Sequence, residues 1–360
     1  MTGLCRLFGA PHRYIQGPDA LDELGRVAAA FGPSPVVIAD AFILETMGAR
    51  IETCLKDAGL TPIVRAFGSE ITYAAIDALI ASLDRTISGV AIGIGGGKAL
   101  DAAKALALKL DLNVITVPTI ASNDSPTSAS IAMYDDTHVM IAVDRLKRSP
   151  EVVLVDTKLI AAAPVAFLRA GIGDAISKTV EADGCLAGTG LTPFGTRPLL
   201  TGAAIADACY RTLRTHAAAA LQAVSEKTVN DAVEATIEAV ILMSGLGFEN
   251  GGLSLSHSMT RGLVKARGAK TAIHGQHVAW GVLVQLLAEG RAEAEVLDLV
   301  RFHREIGLAC RLADLGMPDP TAEEIADIAR WTMTAPHLAN LARPVTAQAI
   351  AAAIHRLEDL

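Results

Sequence analysis

The sequence is poor in aromatic residues, in charge and in long apolar runs, and each shortage excludes a class of protein. Only 4% of its 360 residues are aromatic, and 31 Lys+Arg against 39 Asp+Glu leave a net charge of −8. Nucleic-acid binding depends on basic clusters and aromatic stacking platforms, which this composition does not provide. No apolar run approaches the roughly 18 residues that a membrane span requires. We therefore expect a protein that binds neither nucleic acid nor membrane.

Cysteine is equally sparse, with five residues and no CxxC pair. An odd number of scattered cysteines is typical of a reducing cytosol rather than of a disulfide framework. The N-terminus has no basic region followed by an apolar stretch, so no secretory signal is expected. A hydrophobic fraction of 51% over this length excludes a disordered chain. These features predict a cytoplasmic globular protein, and an enzyme in particular.

The first 160 residues alternate between short apolar runs and helical patterns, which predicts βαβ units and a parallel sheet. The predicted strands are Pro35–Asp40, Thr61–Phe67, Ser88–Ile94, Asn113–Pro118 and Val152–Asp156. The predicted helices are Ala41 to about Ala58, Tyr73–Leu83 and Lys98–Leu110. A hairpin is expected from two further runs, Ser128–Tyr134 and His138–Val143, around a turn at Asp135–Thr137.

Beyond residue 160 the chain is rich in Ala and Leu at helical spacing and contains no convincing strand. Helical patterns cover Pro198–Ala220, Glu226–Met243 and Val278–Leu287. We expect two domains, an α/β nucleotide-binding domain over residues 1–160 and an all-helical domain over residues 161–360.

Three consecutive glycines, Gly95, Gly96 and Gly97, lie between a strand and a helix and are followed by Lys98. Glycine lets a phosphate approach the backbone N–H groups, and the following helix N-terminus favours an anion. A tight strand–helix turn is the alternative, although a turn does not need three glycines. The pattern favours a diphosphate.

An acidic residue for the adenosine ribose is expected at Asp40, where the first strand ends. A carboxylate there can accept hydrogen bonds from the ribose hydroxyls and repel a 2′-phosphate, which favours NAD over NADP. Asp40 can also cap the following helix, and both roles are compatible. Asp101 lies three residues before Lys104 on the next helix. It could reach a nicotinamide amide, or the two could form a salt bridge.

A polar loop over Val117–Ser128 follows the fourth predicted strand, at the end of the sheet where ligands gather. Its hydroxyl and turn-forming residues are those of an ordinary polar loop. Their position beside the glycine segment favours a place in the site.

One carboxylate and two imidazoles in the helical half form a sensible ligand set for a catalytic Zn²⁺ or Fe²⁺. Asp174 follows a glycine pair and is expected at a helix start, and His257 and His274 lie in later segments. Each alone is more typical of a helix cap or a satisfied core histidine. His277 lies three residues after His274, and the spacing alone does not choose between them.

The chain resembles the glycerol dehydrogenase branch of the iron-containing (group III) alcohol dehydrogenases. The resemblance runs from Tyr14–Gly17 to the final helix and rests on five ordered motifs. These are GGGK at 95–98 with Asp101 and Lys104, the VPTIAS loop, AGIGDAISK, SGLGFENGG, and His257 with His274. It implies a Rossmann-like α/β domain followed by an all-α metal-binding domain, the dehydroquinate synthase-like fold, with the active site between them.

The resemblance also implies roles for individual residues. The implied metal ligands are Asp174, His257 and His274, and the implied substrate-facing residue is Asp124. The implied cofactor-binding residues are Asp40, Gly95, Gly96, Gly97, Lys98, Thr119, Ser128 and Tyr134, to which Asp101 is added from its place after the loop.

Four positions depart from the family pattern. Thr260 and Arg261 replace a histidine and an asparagine, Asn123 replaces a threonine, and His277 replaces a lysine. His277 is therefore not counted as a ligand. An arginine facing the cleft would favour an anionic substrate through bidentate pairing.

The expected function is NAD-dependent, metal-dependent oxidation of a vicinal diol, most simply glycerol to dihydroxyacetone. One divalent metal per subunit is expected, with Zn²⁺ ahead of Fe²⁺, in a homo-oligomer. The first alternative is a related dehydrogenase of a hydroxy acid, a phosphorylated polyol or an aminodiol, which Arg261 would favour. A sugar-phosphate cyclising synthase would need more basic and carboxylate groups around the metal. The non-enzyme alternative is a nucleotide sensor without chemistry. The presence of all three expected ligands, Asp174, His257 and His274, argues against it.

Overall fold

The computed structural model describes residues 5–83, 87–137 and 139–360, and within these every strand lies before residue 157. The strands are β1 (Arg13–Gly17), β2 (Val36–Ala39), β3 (Ile63–Ala66), β4 (Val90–Gly95), β5 (Asn113–Pro118), β6 (Ser130–Tyr134), β7 (Met140–Arg145) and β8 (Val152–Asp156). Six of them form one parallel sheet in the order β1-β8-β5-β4-β2-β3. The predicted parallel sheet is confirmed.

Strands β6 and β7 form a separate antiparallel hairpin, as predicted, although β7 starts later than expected. Of the predicted second arm, His138 lies outside the described residues. Strand β1, which the sequence pattern did not reveal, pairs with β8 at the edge of the main sheet.

The helices of the sheet-containing part cover both faces of the sheet. They are α1 (Leu24–Ala28), α2 (Ala41–Asp57), α3 (Tyr73–Ala81) and α4 (Gly97–Leu110). Successive side chains of a strand point to opposite faces. Accordingly Val37 of β2 packs with α1 and α2 in one core cluster, while Val36 packs with α3 and α4 in another. Burial on both faces explains why these strands are almost continuously apolar.

The rest of the described chain is helical. It contains α5 (Thr157–Ala162), α6 (Val165–Ala175), α7 (Lys178–Ala187), α8 (Leu200–Ser225), α9 (Asp231–Glu238), α10 (Ser244–Gly251), α11 (Leu255–Leu263), α12 (His274–Ala288), α13 (Glu293–Ile306), α14 (Ala322–Thr332) and α15 (Ala347–Glu358). A π-helical turn, Ala239–Met243, joins α9 to α10. The predicted α/β-plus-helical fold class is confirmed, whereas the domain boundary at 160/161 stays a prediction. No helix of the described chain has the length and apolar character to cross a membrane.

The strand order creates a crevice at one edge of the sheet. From β2 the chain moves to β3 on one side and then to β4 on the other. Loops that leave neighbouring parallel strands in opposite directions open a gap at the carboxyl ends of those strands, which is where ligands bind in open α/β sheets. Asp40 follows β2, and the three glycines span the end of β4 and the start of α4.

Candidate metal and dinucleotide site

Asp40 and the glycine segment meet at this crevice. Asp40 caps α2, because its Oδ1 accepts a hydrogen bond of 2.9 Å from the backbone N–H of Ile43. Its other oxygen faces the end of β4, where a Cβ placed on Gly95 would lie 3.0 Å from Oδ2. The capping role is therefore real, and it leaves Oδ2 directed toward the glycines.

The glycines form a bare junction between β4 and α4. Gly95 has φ of +144°, a conformation that L side chains rarely adopt. Gly96 precedes the helix, which begins at Gly97, one residue earlier than predicted. The first N–H groups of α4 have no partner within the helix and can bind an anion. The exposed Lys98 pairs with Glu70, with Nζ 3.0 Å from Oε2.

Asp101 is held within the protein on both of its carboxylate oxygens. Oδ1 accepts from Ser125 Oγ at 2.8 Å and from Lys104 Nζ at 3.2 Å, and Oδ2 accepts from the N–H of Ala132 at 3.1 Å. Lys104 is fully buried and also donates to the carbonyl of Ser125 at 2.6 Å. This pair fastens the polar loop after β5 to α4.

The other residues expected to line the cofactor lie along the same loop and hairpin. Thr119 is buried and donates its N–H to the carbonyl of Gly95 at 3.1 Å. Ser128 is buried at the end of the loop, and Tyr134 lies at the end of β6. Burial first, and then the charges of Asp101 and Glu70, raise the pKa of Tyr134.

The three predicted metal ligands lie together although 100 residues separate the first from the last. Each of Asp174, His257 and His274 offers one ligand atom, and these atoms lie within 4.8 Å of one another. Asp174 Oδ1 is 3.0 Å from His257 Nε2 and 3.8 Å from His274 Nε2. Asp174 is buried, whereas the His274 side chain is 47% exposed. The cluster is therefore buried at Asp174 and open to solvent at His274.

Asp174 does not begin a helix, as the sequence pattern suggested, but lies in the last turn of α6. The preceding glycines do not break the helix. A Cβ on Gly171 would lie 2.2 Å from the carbonyl oxygen of Ala121, and one on Gly173 would lie 2.4 Å from that of Gly275. These glycines allow neighbouring backbone to approach α6 closely, which brings Asp174 beside the start of α12.

Glu181 orients His257 from behind. It is fully buried, and its Oε2 lies 2.6 Å from His257 Nδ1, while Oε1 accepts from the N–H groups of Ser254 and His257. Burial acts to raise the pKa of Glu181, but the adjoining His257 ring and these hydrogen bonds lower it to about 2. A carboxylate on one imidazole nitrogen directs the other nitrogen toward a metal.

Lys178 is the second buried residue of the site that the sequence pattern did not reveal. Its side chain is only 1% exposed, and Nζ lies 2.9 Å from Asp174 Oδ1, 3.1 Å from His257 Nε2 and 3.2 Å from Asp124 Oδ2. Burial acts to lower the pKa of Lys178, but the nearby carboxylates, Asp124 first, raise it. The side-chain nitrogen of Lys178 therefore lies among the proposed metal ligands.

Asp124 connects the polar loop to the helical part. Its Oδ2 accepts a hydrogen bond of 3.0 Å from Ser244 Oγ, in addition to its contact with Lys178. Two residues of the same loop region cross in the same direction. Thr127 Oγ1 donates to the carbonyl of Ile241 at 2.6 Å, and the N–H of Ala129 donates to Glu249 at 2.7 Å.

The donor set suits a divalent cation. An aspartate and two histidines, with one side open, are the ligands of a catalytic site, and the Glu181–His257 pair supplies the outer partner such ligands usually have. His277 does not join them, because it is buried and its Nε2 bonds the carbonyl of Ala269 at 2.8 Å. Arg261 lies one turn after His257 on α11, and it is exposed.

Comparison with known proteins places this arrangement in a family. The sequence model of the iron-containing alcohol dehydrogenases matches residues 11–157. A glycerol dehydrogenase of Escherichia coli O6:H1 is 36% identical over 324 residues, which are 90% of this chain and 88% of the relative. A glycolaldehyde reductase of Halobacterium salinarum is 34% identical over 323 residues, with the same coverage of 90% and 88%.

The chain belongs to the iron-containing alcohol dehydrogenase family. The resemblance drawn from the sequence motifs is therefore confirmed. Among solved structures, a glycerol dehydrogenase from Schizosaccharomyces pombe matches this member of the family with a TM-score of 0.93 at 32% identity. The match covers 99% of this chain and 91% of the other.

The sequence of this family member does contain a pattern that indicates Lys178 and Glu181. They follow Asp174 at spacings of four and seven residues, which place polar side chains on one face of a helix. The structure interrupts that helix between α6 and α7 but keeps the three side chains on one side.

Glu249, beneath the polar loop, is expected to make stability depend on pH. It is fully buried, and its Oε2 has no hydrogen-bond partner within the described part of the chain. Burial raises the pKa of Glu249 to about 7, so between about pH 4.5 and pH 7 the folded state binds more protons than the unfolded state. The stability of the wild type should therefore fall by up to about 3 kcal/mol across that interval.

Glu249→Gln carries no ionisable group and should remove most of this loss, which thermal unfolding between pH 5 and pH 8 will measure. Glu52→Gln, at an exposed surface pair with Lys56, serves as the control and should keep the wild-type dependence. Parallel curves for wild type and Glu249→Gln would show that Glu249 is ionised throughout.

Proposed function

We propose that the protein oxidises a vicinal diol with NAD and a divalent metal ion, most simply glycerol to dihydroxyacetone. The observation that carries the proposal is the cluster of Asp174, His257 and His274. Lys178 contacts both Asp174 in this cluster and Asp124 in the polar loop, and so links the cluster to the edge of the sheet. Membership of the family implies NAD and a divalent metal. The identity with proteins named glycerol dehydrogenase supports the choice of substrate.

In this proposal the first task of the chain is to hold the two cofactors. Asp174, His257 and His274 would hold the cation, and the exposed side of His274 leaves room for the substrate. The first N–H groups of α4 would bind the diphosphate. When bound, the cation lowers the pKa of a hydroxyl group and the nicotinamide accepts a hydride.

The remaining cofactor and substrate roles follow the positions of the side chains. Asp40 would accept hydrogen bonds from the adenosine ribose through Oδ2, and Asp124 would orient the second hydroxyl of the diol. The residues proposed to line the dinucleotide are Gly95, Gly96, Gly97, Lys98, Asp101, Thr119, Ser128 and Tyr134. Asp101 would act by shaping the loop, since both of its oxygens are engaged within the protein.

A substrate screen tests the proposal directly. The purified protein with NAD is assayed against glycerol, 1,2-propanediol, 1,3-propanediol, glycerol phosphates and 2-hydroxy acids, with added Zn²⁺ and with a chelator. We expect glycerol and 1,2-propanediol to be oxidised and the chelator to abolish the activity. A preference for the phosphates or hydroxy acids would overturn the diol assignment and point to Arg261. Cytoplasmic location, Zn²⁺ as the ion and a homo-oligomer remain predictions.

Asp40 is expected to set the preference for NAD. In Asp40→Ser the cap of α2 is kept, because serine is also a good N-cap, but the charge near the ribose is lost. A hydrogen bond to a charged group contributes roughly 1.5–3 kcal/mol, so the ratio of kcat/KM for NAD to that for NADP should fall about 10- to 100-fold. Asp40→Asn, which keeps the size and the cap, separates charge from shape. An unchanged ratio in both variants would remove Asp40 from the cofactor site.

A further inference from the structure

Lys178 occupies a position that the metal ligands also face. Its Nζ lies at hydrogen-bond distance from Asp174 Oδ1 and from His257 Nε2, at 2.9 Å and 3.1 Å. Those two atoms are the ones that the proposed site would offer to a cation. The single lone pair of His257 Nε2 cannot serve an ammonium and a metal ion at once, and at Asp174 Oδ1 the two positive charges would repel each other.

The surroundings of Lys178 supply a second place for its charge. Asp124 Oδ2 lies 3.2 Å from Nζ on the side of the polar loop, and Ser244 fixes that carboxylate. A buried ammonium must keep an anionic partner, because leaving it alone in the protein interior is costly. Asp124 meets that need when Asp174 is taken by another cation.

We infer that Lys178 is a tethered competitor of the metal ion. In the absence of the ion it neutralises Asp174 and keeps the ligands assembled, and when the ion binds it retains Asp124 and gives up Asp174 and His257. The competition is one of position and requires no change in the protonation of Lys178. This inference rests on the proposed function, because it takes Asp174, His257 and His274 as the metal ligands.

Two opposite effects of removing the ammonium follow from this arrangement. Without the ammonium, a divalent cation does not have to displace a positive charge from the ligands. The site is also more negative, so the cation should bind more tightly. Without the ion, the same variant leaves Asp124 and Asp174 unpaired in the interior, so the fold should be weaker. A buried lysine whose ammonium does not touch the metal ligands would produce the second effect alone.

The test uses the full chain after removal of metal with a chelator. Zn²⁺ affinity is measured by competition with a chromophoric chelator, and Co²⁺ absorption reports whether the ligands coordinate. Lys178→Met, which keeps an unbranched chain of similar length, should bind Zn²⁺ at least about tenfold more tightly than wild type, because it removes a positive charge a few ångströms from the ligands. Its metal-free form should unfold at a lower temperature, and Zn²⁺ should raise that temperature more than it does in wild type.

Lys104→Met is the matched control, because Lys104 is also fully buried and pairs with an aspartate. It should lower the unfolding temperature and leave Zn²⁺ affinity unchanged. Lys178→Gln is measured beside Lys178→Met and replaces it if the methionine variant does not fold.

The outcomes separate the inference from the proposed function. Equal or weaker Zn²⁺ binding in both Lys178 variants, with wild type binding the ion, would overturn the competitor role and leave the metal site standing. Failure of wild type and variants alike to bind Zn²⁺ or Co²⁺ would overturn the proposed metal site, and the competitor role with it.

Discussion

His274→Ala is expected to lose the metal ion and nearly all activity while keeping the fold. The side chain is 47% exposed at the start of α12 and supplies one of three ligands, so its removal leaves two donors and no large cavity. Loss of the several kcal/mol that a metal contributes to charge stabilisation corresponds to a decrease in kcat/KM of about a thousandfold. Metal content after dialysis and steady-state kinetics with glycerol will measure both effects.

His277→Ala is the matched control for this experiment. The two histidines are three residues apart on α12, but His277 is buried and bonds the carbonyl of Ala269. His277→Ala should unfold at a lower temperature than wild type and keep the metal. If His274→Ala retained the ion and His277→Ala lost it, the ligand assignment would be reversed.

Glu181→Gln is expected to weaken metal binding about 10- to 100-fold although Glu181 is not itself a proposed ligand. An amide –NH₂ in place of Oε2 cannot accept a hydrogen bond from Nδ1–H of His257, whose Nδ1 lies 2.6 Å from Oε2. The ring would then carry its proton on Nε2, where a metal needs a lone pair. Glu181 is in this sense a positioning residue, and Zn²⁺ affinity together with the Co²⁺ spectrum measures its effect.

Glu289→Gln offers a comparison for Glu181→Gln, because Glu289 also bonds a side chain of the helical part, Gln285 at 2.7 Å. It should leave Zn²⁺ affinity unchanged. A Zn²⁺ affinity in Glu181→Gln within about twofold of wild type would mean that Glu181 does not select the tautomer of His257.

Most of the parallel sheet could be predicted from the sequence because its strands are buried on both faces. Val36–Ala39 is apolar throughout and Val152–Asp156 is apolar up to its last residue. An aspartate, Asp40 or Asp156, stands where each apolar run ends. Strand β1 was not predicted, because its residues, RYIQG, are only half-buried at the sheet edge. An edge strand has one partner, so its sequence need not be continuously apolar.

The site was predictable where residue type alone restricts the chemistry and not where packing decides. An aspartate with two histidines suggests a metal site at any separation in the sequence. Lys178 and Glu181 become part of the site only because α11 brings His257 against α7. Asp174 was expected at a helix start because glycine normally interrupts helices, whereas here Gly171 and Gly173 admit neighbouring backbone.

The π-helical turn at Ala239–Met243 sets the orientation of Ser244 and the rest of α10 relative to α9. Such a turn holds one residue more than an α-helical turn spanning the same rise. If the same residues wound as a regular α-helix, the extra residue would rotate everything beyond it by about 100°. Ser244, which fixes Asp124, would then turn away from it. A single-residue insertion in this stretch should therefore separate Ser244 from Asp124, whereas a substitution that keeps the turn should not.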